Sequence, residues 1–344
     1  MRGYGIPVKI INIVKAFYVN SQCAVIGNGG ISEWFEVRSG VRQGCVMSGL
    51  LFIIGIDWIM KKTCEGERSG IRWTLTSQLH DLDYADDIVL LSHSKQHMQA
   101  KIDKLKRNSE ALGLKINSGK TKTMRLNAKS QDPITLGHEP IEEVNEFTYL
   151  GAVVSKTGGG SEDIKSRIKK ARCAFNRLWK IWRSGQLSHA TKTRIFKPNV
   201  MAVLYYGCET WKMTKGDEHS LDVFQHKCLR NIYRIWWPIR IENSMLRERA
   251  RITLASEEVR RRRWKWIGHV LRMDQLSNPA IALTWTPEGK RKQGRPKTTW
   301  RRTVLQERDK LGFGSWNAAR ATAQNRDAWR ELTLSPILHL ERRT

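Results

Sequence analysis

The chain has 344 residues, enough for two hydrophobic cores, and its 60 Lys and Arg against 33 Asp and Glu leave a formal net charge of +27. Residues 1–150 hold 19 basic and 16 acidic residues, whereas residues 151–344 hold 41 and 17. This imbalance favours a C-terminal half that binds a polyanion over one whose helix faces are merely solvated. The chain has no signal peptide, no apolar run of about 18 residues and no Cys-x-x-Cys, so we expect an intracellular, reduced protein that does not enter a membrane.

The first predicted elements are a helix and a β-hairpin. Apolar residues recur at helical spacing after Pro7, which predicts an amphipathic helix. They are Ile10, Ile13, Val14 and Phe17. The segment 22–38 has short β-forming runs on both sides of an Asn-Gly-Gly sequence at 28–30, which predicts a hairpin.

A glycine-rich loop follows in the run SGVRQGCVMSGLLF, residues 39–52. Glycine lets the backbone approach a ligand closely, and Arg42 and Gln43 can hydrogen-bond a base, a sugar or a phosphate. The apolar residues from Val46 onward predict a helix that continues to Met60. By itself, such a loop is more typical of the turn that begins an ordinary helix.

The run LDYADDIVLL, residues 82–91, places two adjacent carboxylates between apolar β-forming residues. It predicts a strand, a tight turn with Asp86 and Asp87, and a second strand. Adjacent acids repel each other, and a buried pair would have at least one raised pKa, so the arrangement favours a bound cation. Mg²⁺ prefers oxygen ligands and keeps waters and substrate phosphates as its other ligands, which is what a nucleotidyl-transfer site requires. The alternative is an ordinary acidic turn.

Two further motifs follow the acidic turn. In GLKINSGKTKTMRL, residues 113–126, a glycine ends a helix, Asn-Ser-Gly makes a turn, and Lys120 and Lys122 alternate along a predicted strand. In FTYLGAVVS, residues 147–155, aromatic and β-branched residues predict a strand that is broken at Gly151.

In this order and spacing, the four motifs resemble the later palm motifs and the primer-grip strand of reverse transcriptases from non-LTR, LINE-type retrotransposons. The resemblance implies an α+β fold, in which a partial right-hand polymerase palm is followed by an all-helical thumb and a basic helical C-terminal extension. It also implies RNA-directed DNA synthesis by in-line attack of a primer 3′-hydroxyl. The expected partners are an RNA template, a DNA primer and deoxynucleotides, and the expected cofactor is Mg²⁺.

The same resemblance implies roles for individual residues. Asp86 and Asp87 would be the catalytic, metal-binding carboxylates, and Tyr84 would lie near the primer end. The nucleotide and template pocket would be lined by Arg42, Gln43 and Gly44, and Lys120 would approach the incoming phosphates.

The chain departs from the family pattern at two places. The family usually reads Ser-Pro where this chain has Ser48-Gly49, which frees the backbone at the start of a helix. The segment Lys15–Tyr18 resembles the family's KAFD but has a tyrosine in place of the acid, and it lies in a predicted helix rather than a strand. We therefore expect the fingers, the first palm carboxylate and any upstream endonuclease to be missing, and the chain alone to be inactive.

Residues 161–272 predict consecutive helices, as expected for a thumb. One apolar stripe comprises Ile164, Ile168, Ala171, Phe175, Leu178 and Trp182. Ser161 with Asp163 is the predicted cap of this first helix, after a glycine linker at 158–160. Further helices are predicted at about 191–204, 218–233 and 257–273.

Two basic segments are predicted to bind nucleic acid, and both resemble the C-terminal region of the same retrotransposon reading frames. Arg260, Arg261, Arg262 and Arg263 precede Trp264 and Trp266, a mixture that single strands favour because bases stack on tryptophan while arginine contacts phosphate. Trp266 and Ile267 could equally belong to a core. The run at 289–302 predicts a flexible basic loop, with Lys290, Arg291, Lys292 and Arg295 as phosphate contacts.

No zinc site is predicted, because the spacing of Cys208, His219, His226 and Cys228 does not match a zinc signature. Cys173 and Cys228 are expected to pack as small apolar residues. The predicted domains are a partial palm at 1–157, a thumb at 158–250 and a basic region at 251–344.

The leading functional hypothesis is a fragment of a retrotransposon RNA-directed DNA polymerase that uses two-metal nucleotidyl transfer in its intact parent. The alternative is a non-catalytic RNA- or DNA-binding protein derived from a retroelement.

Overall fold

The structure is a computed structural model. It describes residues 1–334 except Asn28, Arg38, Ser39, Glu67, Asn127, Lys129, Gln131, Thr157, Gly159 and 289–297. The chain divides into two compact units, Met1–Val144 and Asn145–Thr344. Helices and short antiparallel pairs occur together, in agreement with the predicted α+β class. The palm, thumb and extension boundaries at 157 and 250 stay a prediction.

The helices of the first unit follow a 3₁₀ turn at Arg2–Tyr4 and are α1 (Val8–Tyr18), α2 (Val46–Cys64) and α3 (Lys95–Ala111). Its strands are β1 (Gln22–Cys23), β2 (Ile26–Gly27), β3 (Gly30–Ile31), β4 (Phe35–Glu36), β5 (Ile71–Arg72), β6 (Gln78–Leu79), β7 (Asp81–Tyr84), β8 (Asp87–Leu90), β9 (Lys122–Thr123), β10 (Thr135–Leu136), β11 (Glu139–Pro140) and β12 (Glu142–Glu143). They pair two by two in the described residues, as β1 with β4, β2 with β3, β5 with β6, β7 with β8, and β10 with β11, all antiparallel, and as β9 with β12 in parallel.

Helix α1 begins after Pro7, as predicted, but its predicted apolar stripe is not buried. Ile10, Ile13 and Phe17 are each about half exposed, whereas Ile11 is buried. Periodicity fixes which residues share a helix face, but not whether another element covers that face.

The hairpin predicted at 22–38 is confirmed as the pairs β1–β4 and β2–β3, although Asn28 of its turn lies outside the described residues. Helix α2 begins at Val46 without the proline of the family pattern and extends beyond the predicted end, to Cys64. Gly49 lies inside it, and a Cβ at that position would have no neighbouring atom within 4 Å. Gly113 follows α3 with a φ of 74°, which confirms the predicted helix end.

The core of the first unit is small. Ile102 of α3 packs with Ile134 and Ile141, and Leu90, Met98 and Leu136 border this cluster. Helices α2 and α3 are joined by a hydrogen bond from the Asn108 amide to the Thr63 hydroxyl at 3.1 Å. Strand β8 therefore rests on α3 through Leu90, which positions the acidic turn.

The second unit begins with a hairpin of β13 (Glu146–Tyr149) and β14 (Ala152–Ser155), which turns at Leu150 and Gly151, both with positive φ. The predicted strand break at Gly151 is thereby confirmed. The α-helices are α4 (Ser161–Arg177), α5 (Trp179–Arg183), α6 (His189–Phe196), α7 (Ala202–Leu204), α8 (Lys215–Tyr233), α9 (Asn243–Ala250), α10 (Ala255–Arg272), α11 (Asn278–Thr284), α12 (Trp300–Lys310), α13 (Trp316–Gln324) and α14 (Arg326–Leu334). A π-helical turn spans Lys197–Met201, and a 3₁₀ turn spans Cys208–Thr210.

The helices predicted at about 191–204, 218–233 and 257–273 are confirmed. The first corresponds to α6, the π-helical turn and α7, the second to α8, and the third to α10. The predicted stripe of α4 is also confirmed, since Ile164, Ala171 and Phe175 are buried in one cluster that includes Trp182 of α5.

The cap predicted for α4 is wrong. Gly160 is the N-cap residue, and the Ser161 hydroxyl instead donates to Asp217 at 3.2 Å. The buried carboxylate of Asp163 accepts hydrogen bonds from the Val153 backbone N–H at 2.9 Å and the Trp211 indole at 2.7 Å. Asp163 therefore holds the β13–β14 hairpin to α4, a role that depends on residues far away in the sequence.

A second cluster surrounds Trp264, Phe313 and Trp329 and joins α10 to α11–α14. Trp264 and Ile267 thus belong to a core, whereas Trp266 is exposed. Cys228 is buried as predicted, but Cys173 is exposed, so its predicted packing is wrong.

Candidate active site

The acidic turn is the tip of a two-stranded hairpin, as predicted. Strands β7 and β8 pair with Tyr84 opposite Asp87, so that Ala85 and Asp86 form a two-residue turn. Ala85 has a φ of 55°, a left-handed conformation that a residue with a side chain rarely adopts. This conformation costs about 1–2 kcal/mol relative to a residue in an ordinary conformation. The hairpin therefore holds a strained residue directly before its first tip carboxylate.

The strand register separates the acids onto two faces. Because directly opposite residues of an antiparallel pair share a face, Asp87 lies on the same face as Tyr84, and Asp83 lies on the other face opposite Ile88. Asp86, Asp87 and Tyr84 are all exposed. The tip carboxylates are thus open to solvent, and the burial considered for such a pair from the sequence is not observed.

The second face carries an acidic group that the sequence reasoning missed. Partial burial, a hydrogen bond to Asp81 and the negative charges of Asp81 and Asp57 raise the pKa of Asp83 to about 7. The Cys64 thiol of α2 donates to Asp81 at 3.0 Å. The alternation of Asp81 and Asp83 along one strand was the signal in the sequence.

Lys101 of α3 holds the open end of the hairpin. Its side chain is 0% exposed, and its ammonium donates to the backbone oxygens of His80 at 3.1 Å and Leu91 at 2.7 Å. These two residues directly precede β7 and follow β8, and their own backbones are joined by a 2.8 Å hydrogen bond. One buried cation therefore ties both strands to α3. The signal in the sequence was a lysine at an apolar-stripe position, between Met98 and Leu105.

The loop before α2 is fastened to the end of α1. The Arg42 guanidinium donates to the Phe17 backbone oxygen at 2.7 Å and to the Ser21 hydroxyl at 2.9 Å, and it lies 5.6 Å from the centre of the Tyr18 ring. Tyr18 ends α1, which confirms that the KAFD-like segment is helical. Gln43 and Gly44 are exposed beside Arg42, and Gly44 has a φ of 81° that favours glycine.

Lys120 lies in a turn and not on the predicted strand, which spans only Lys122–Thr123. Its backbone N–H donates to the side-chain oxygen of Asn117 at 3.0 Å, and its side chain is exposed. The Asn117 side chain thus competes with strand pairing for this N–H. Lys122 instead forms a salt bridge with Glu142 across the parallel pair.

The tip carboxylates fit a hard divalent cation in part. Exposed oxygens are the donors that Mg²⁺ prefers, and this ion commonly takes only one or two carboxylates together with waters and phosphates. In the part of the chain that the structure describes, no group of three or more His, Cys, Asp or Glu side chains stands together as a metal site. A cation held by Asp86 and Asp87 would therefore have to take its other ligands from waters or substrate phosphates.

The predicted nucleic-acid contacts on α10 have protein partners. Arg263 is 0% exposed, and its guanidinium binds Glu307 of α12 and donates to the Trp211 backbone oxygen at 2.7 Å. The Trp264 indole donates to the same Glu307 at 2.8 Å. Arg263 cannot reach a phosphate here, so its predicted role is wrong: it satisfies a carboxylate that joins α10 to α12.

The Arg260 side chain is mostly buried, and those of Arg261 and Arg262 are partly exposed. Arg260 pairs with Glu218 at 2.6 Å, and Arg261 and Arg262 pair with Glu258 at 2.7 and 2.8 Å. Their contact with nucleic acid stays a prediction. The predicted contacts in the basic loop, Lys290, Arg291, Lys292 and Arg295, lie outside the described residues.

Each helix that the structure describes is too short or too polar to cross a bilayer.

Residues 4–154 match the reverse transcriptase (RNA-dependent DNA polymerase) family, and the acidic hairpin lies within this range. This part of the chain is therefore similar to reverse transcriptase domains. Residues 174–206 match a domain of unknown function.

The chain is similar to several proteins of transposable elements. It is 25% identical over 238 residues to an uncharacterized transposon-derived protein of Caenorhabditis elegans, covering 67% of this chain and 85% of that protein. It is 22% identical over 245 residues to the Pol polyprotein of retrotransposable element R2 of Popillia japonica, covering 68% of this chain and 39% of that protein. It is 23% identical over 243 residues to the RNA-directed DNA polymerase of mobile element jockey of Drosophila funebris, covering 67% of this chain and 26% of that protein. The chain is thus similar to polymerase proteins of retrotransposons and mobile elements, and it spans less than half of the last two proteins.

Proposed function

We propose that this chain supplies the carboxylate hairpin of a two-metal nucleotidyl-transfer site that copies an RNA template from a DNA primer. The observation that carries this proposal is the strained, solvent-exposed tip at Ala85–Asp87 inside the reverse transcriptase match. Strained backbone at an exposed acidic turn is costly, and such strain clusters at functional sites.

The chain's own residues have distinct tasks in this proposal. Asp86 and Asp87 present oxygen ligands to divalent metal, which we take to be Mg²⁺. Metal held there would stabilise the negative charge that develops at the phosphate. Tyr84 shares the face of Asp87 and positions the primer end. Lys101 holds both strands of the hairpin against α3 through its two hydrogen bonds.

The loop before α2 completes the substrate-facing surface. Arg42 already bridges α1 and the loop, so its guanidinium is oriented before any nucleotide arrives. Gln43 and the backbone at Gly44 are left exposed to contact the nucleotide and template. Exposed Lys120 contributes a positive charge for the incoming phosphates.

Two carboxylates alone are insufficient for two metals, because the reaction needs both ions held on the attacking and leaving oxygens. We propose that the chain alone does not extend a primer, and that its C-terminal half binds RNA and DNA through its excess positive charge. The second candidate function is nucleic-acid binding without catalysis. The charge distribution favours it, since residues 151–344 carry 41 basic and 17 acidic residues.

Primer extension on an RNA template with Mg²⁺ or Mn²⁺ tests this proposal. The chain alone should not extend the primer, and fusion to fingers and a first palm strand of a related reverse transcriptase should restore templated synthesis. Asp86→Asn should abolish the restored activity because it removes a metal ligand. Asp103→Asn, which makes the same charge change on exposed α3 surface, is the matched control and should leave activity unchanged.

Each outcome separates the two functions. Extension by the chain alone that disappears in Asp86→Asn would mean that a further carboxylate of this chain completes the site. A fusion that binds primer-template but stays inactive, even with Gly49→Pro to restore the proline of the family pattern, would favour the non-catalytic function.

A further inference from the structure

The segment between α8 and α9 exposes two adjacent tryptophans. Trp236 is 57% exposed, and Trp237 is 78% exposed, whereas Trp182, Trp211 and Trp264 of the same unit are buried. Ile239 follows them and is also exposed. Contiguous exposed apolar groups of this size mark interaction sites more often than isolated ones do.

Arginines accompany these rings. The Arg240 guanidinium lies 5.1 Å from the centre of the Trp237 ring, and the Arg183 guanidinium lies 5.4 Å from that of Trp179, which is itself exposed. Arg234 donates a hydrogen bond to the Arg183 backbone oxygen and so links the two places. We call Trp179, Arg183, Arg234, Trp236, Trp237 and Arg240 the tryptophan surface.

An open depression of about 340 Å³ adjoins this surface. Its lining residues are Arg230, Ile239, Arg240, Ile241 and Glu242. Arg230 is held in place by hydrogen bonds to the Ile241 backbone oxygen at 2.8 Å and the Asn243 side chain at 2.9 Å. Arg240 belongs to both the depression and the Trp237 contact, so one cation lies beside an exposed ring and also lines the depression.

We propose that the tryptophan surface binds single-stranded nucleic acid, with unpaired bases stacked on Trp237 and Trp236 and a backbone phosphate in the depression at Arg240 and Arg230. Only an unpaired base offers a free face to a tryptophan ring, and arginine beside the ring attracts the neighbouring phosphate. Four arginines and one glutamate at the surface and the depression give it the charge sign that a polyanion requires. This site deepens the proposed nucleic-acid binding of the C-terminal half and rests on it.

The test measures binding of the full chain to labelled 12-nucleotide single strands of DNA and RNA by fluorescence anisotropy. A matched strand without bases has the same phosphates but cannot stack. Trp237→Ala should weaken binding to base-containing strands by about fivefold or more and leave binding to the abasic strand unchanged. Trp237→Phe should retain most of the affinity because it keeps a ring. Arg240→Gln should weaken binding to both strands and reduce the salt dependence.

Leu276→Ala is the matched control, because Leu276 is 80% exposed in the same unit but lies away from these residues in the sequence. It should bind like the unchanged chain. The unchanged chain should also alter the emission of a 2-aminopurine placed in the strand, a stacking signal that needs no mutation. Its absence would overturn the proposal even if Trp237→Ala failed to fold.

Equal loss of affinity for both strands in Trp237→Ala, or no loss for either, would overturn stacking at this surface while leaving the proposed C-terminal binding intact. Failure of the unchanged chain to bind any strand would instead refute that binding and this site with it. A change in oligomeric state in Trp237→Ala, with nucleic-acid affinity unaffected, would show that the surface contacts protein and would also overturn the proposal.

Discussion

Gly268 of α10 is a position where one added methyl group should be strongly destabilising. A Cβ there would lie 2.0 Å from the indole nitrogen of Trp329 and 2.6 Å from two further ring carbons. Trp329 of α14 is 3% exposed, and its indole nitrogen donates to the Trp264 backbone oxygen at 2.9 Å. The ring therefore lies directly on the glycine and cannot move outward without losing both contacts.

The magnitude follows from these contacts. Overpacking a filled core costs about 1–3 kcal/mol. Displacing the indole also leaves its buried N–H without an acceptor, at about 1–3 kcal/mol. The higher helix propensity of alanine offsets at most about 1 kcal/mol of this destabilisation. Gly268→Ala should therefore lower the free energy of unfolding by about 1–5 kcal/mol.

Urea unfolding followed by circular dichroism measures this change. The matched control is Gly216→Ala in α8, where the nearest atom to an added Cβ is 3.8 Å away, and it should be neutral or slightly stabilising. Adding Trp329→Leu to Gly268→Ala should cost less than the sum of the two single changes, because both act on one contact. An unfolding midpoint for Gly268→Ala equal to that of the unchanged chain would refute this reasoning.

Three further outcomes are expected. Ala85→Gly should stabilise the chain to urea by about 1 kcal/mol by relieving the left-handed alanine, and a loss of stability would contradict the assigned strain. The pKa of Asp83 rises from its ordinary value of 3.8 to about 7 on folding, so the folded chain binds more protons in that interval and the free energy of unfolding should fall as pH rises from 4 to 7. Urea titrations of Asp83→Asn should lack this decline, and an unchanged pH profile would refute the perturbed carboxyl. The affinity of the chain for a single strand should fall with salt, with a slope of about −0.7 in log K per phosphate contacted, and a slope near zero in filter binding would refute the polyanion site.

Local sequence patterns were sufficient for the elements that carry the candidate site. The alternation on both sides of Asp86 and Asp87 predicted the hairpin, and the positive φ values at Gly113 and Gly151 occur where glycine ends a predicted helix and breaks a predicted strand. The stripe of α4 identified its buried face. Each of these features depends on residues within a few positions of one another, because helix and strand periods are properties of the local backbone.

Burial and pairing, in contrast, were decided by residues distant in the sequence. In its basic run, Arg263 has the sequence pattern of a phosphate contact. In the structure its buried guanidinium instead pairs with the carboxylate of Glu307, 44 residues later. Lys101 looks like a surface lysine until the backbone oxygens of His80 and Leu91 surround its ammonium. The stripe of α1 has the helical period of a buried face and is exposed. A sequence determines which side chains share a face, but only the tertiary structure determines what meets that face, since the partner comes from elsewhere in the chain.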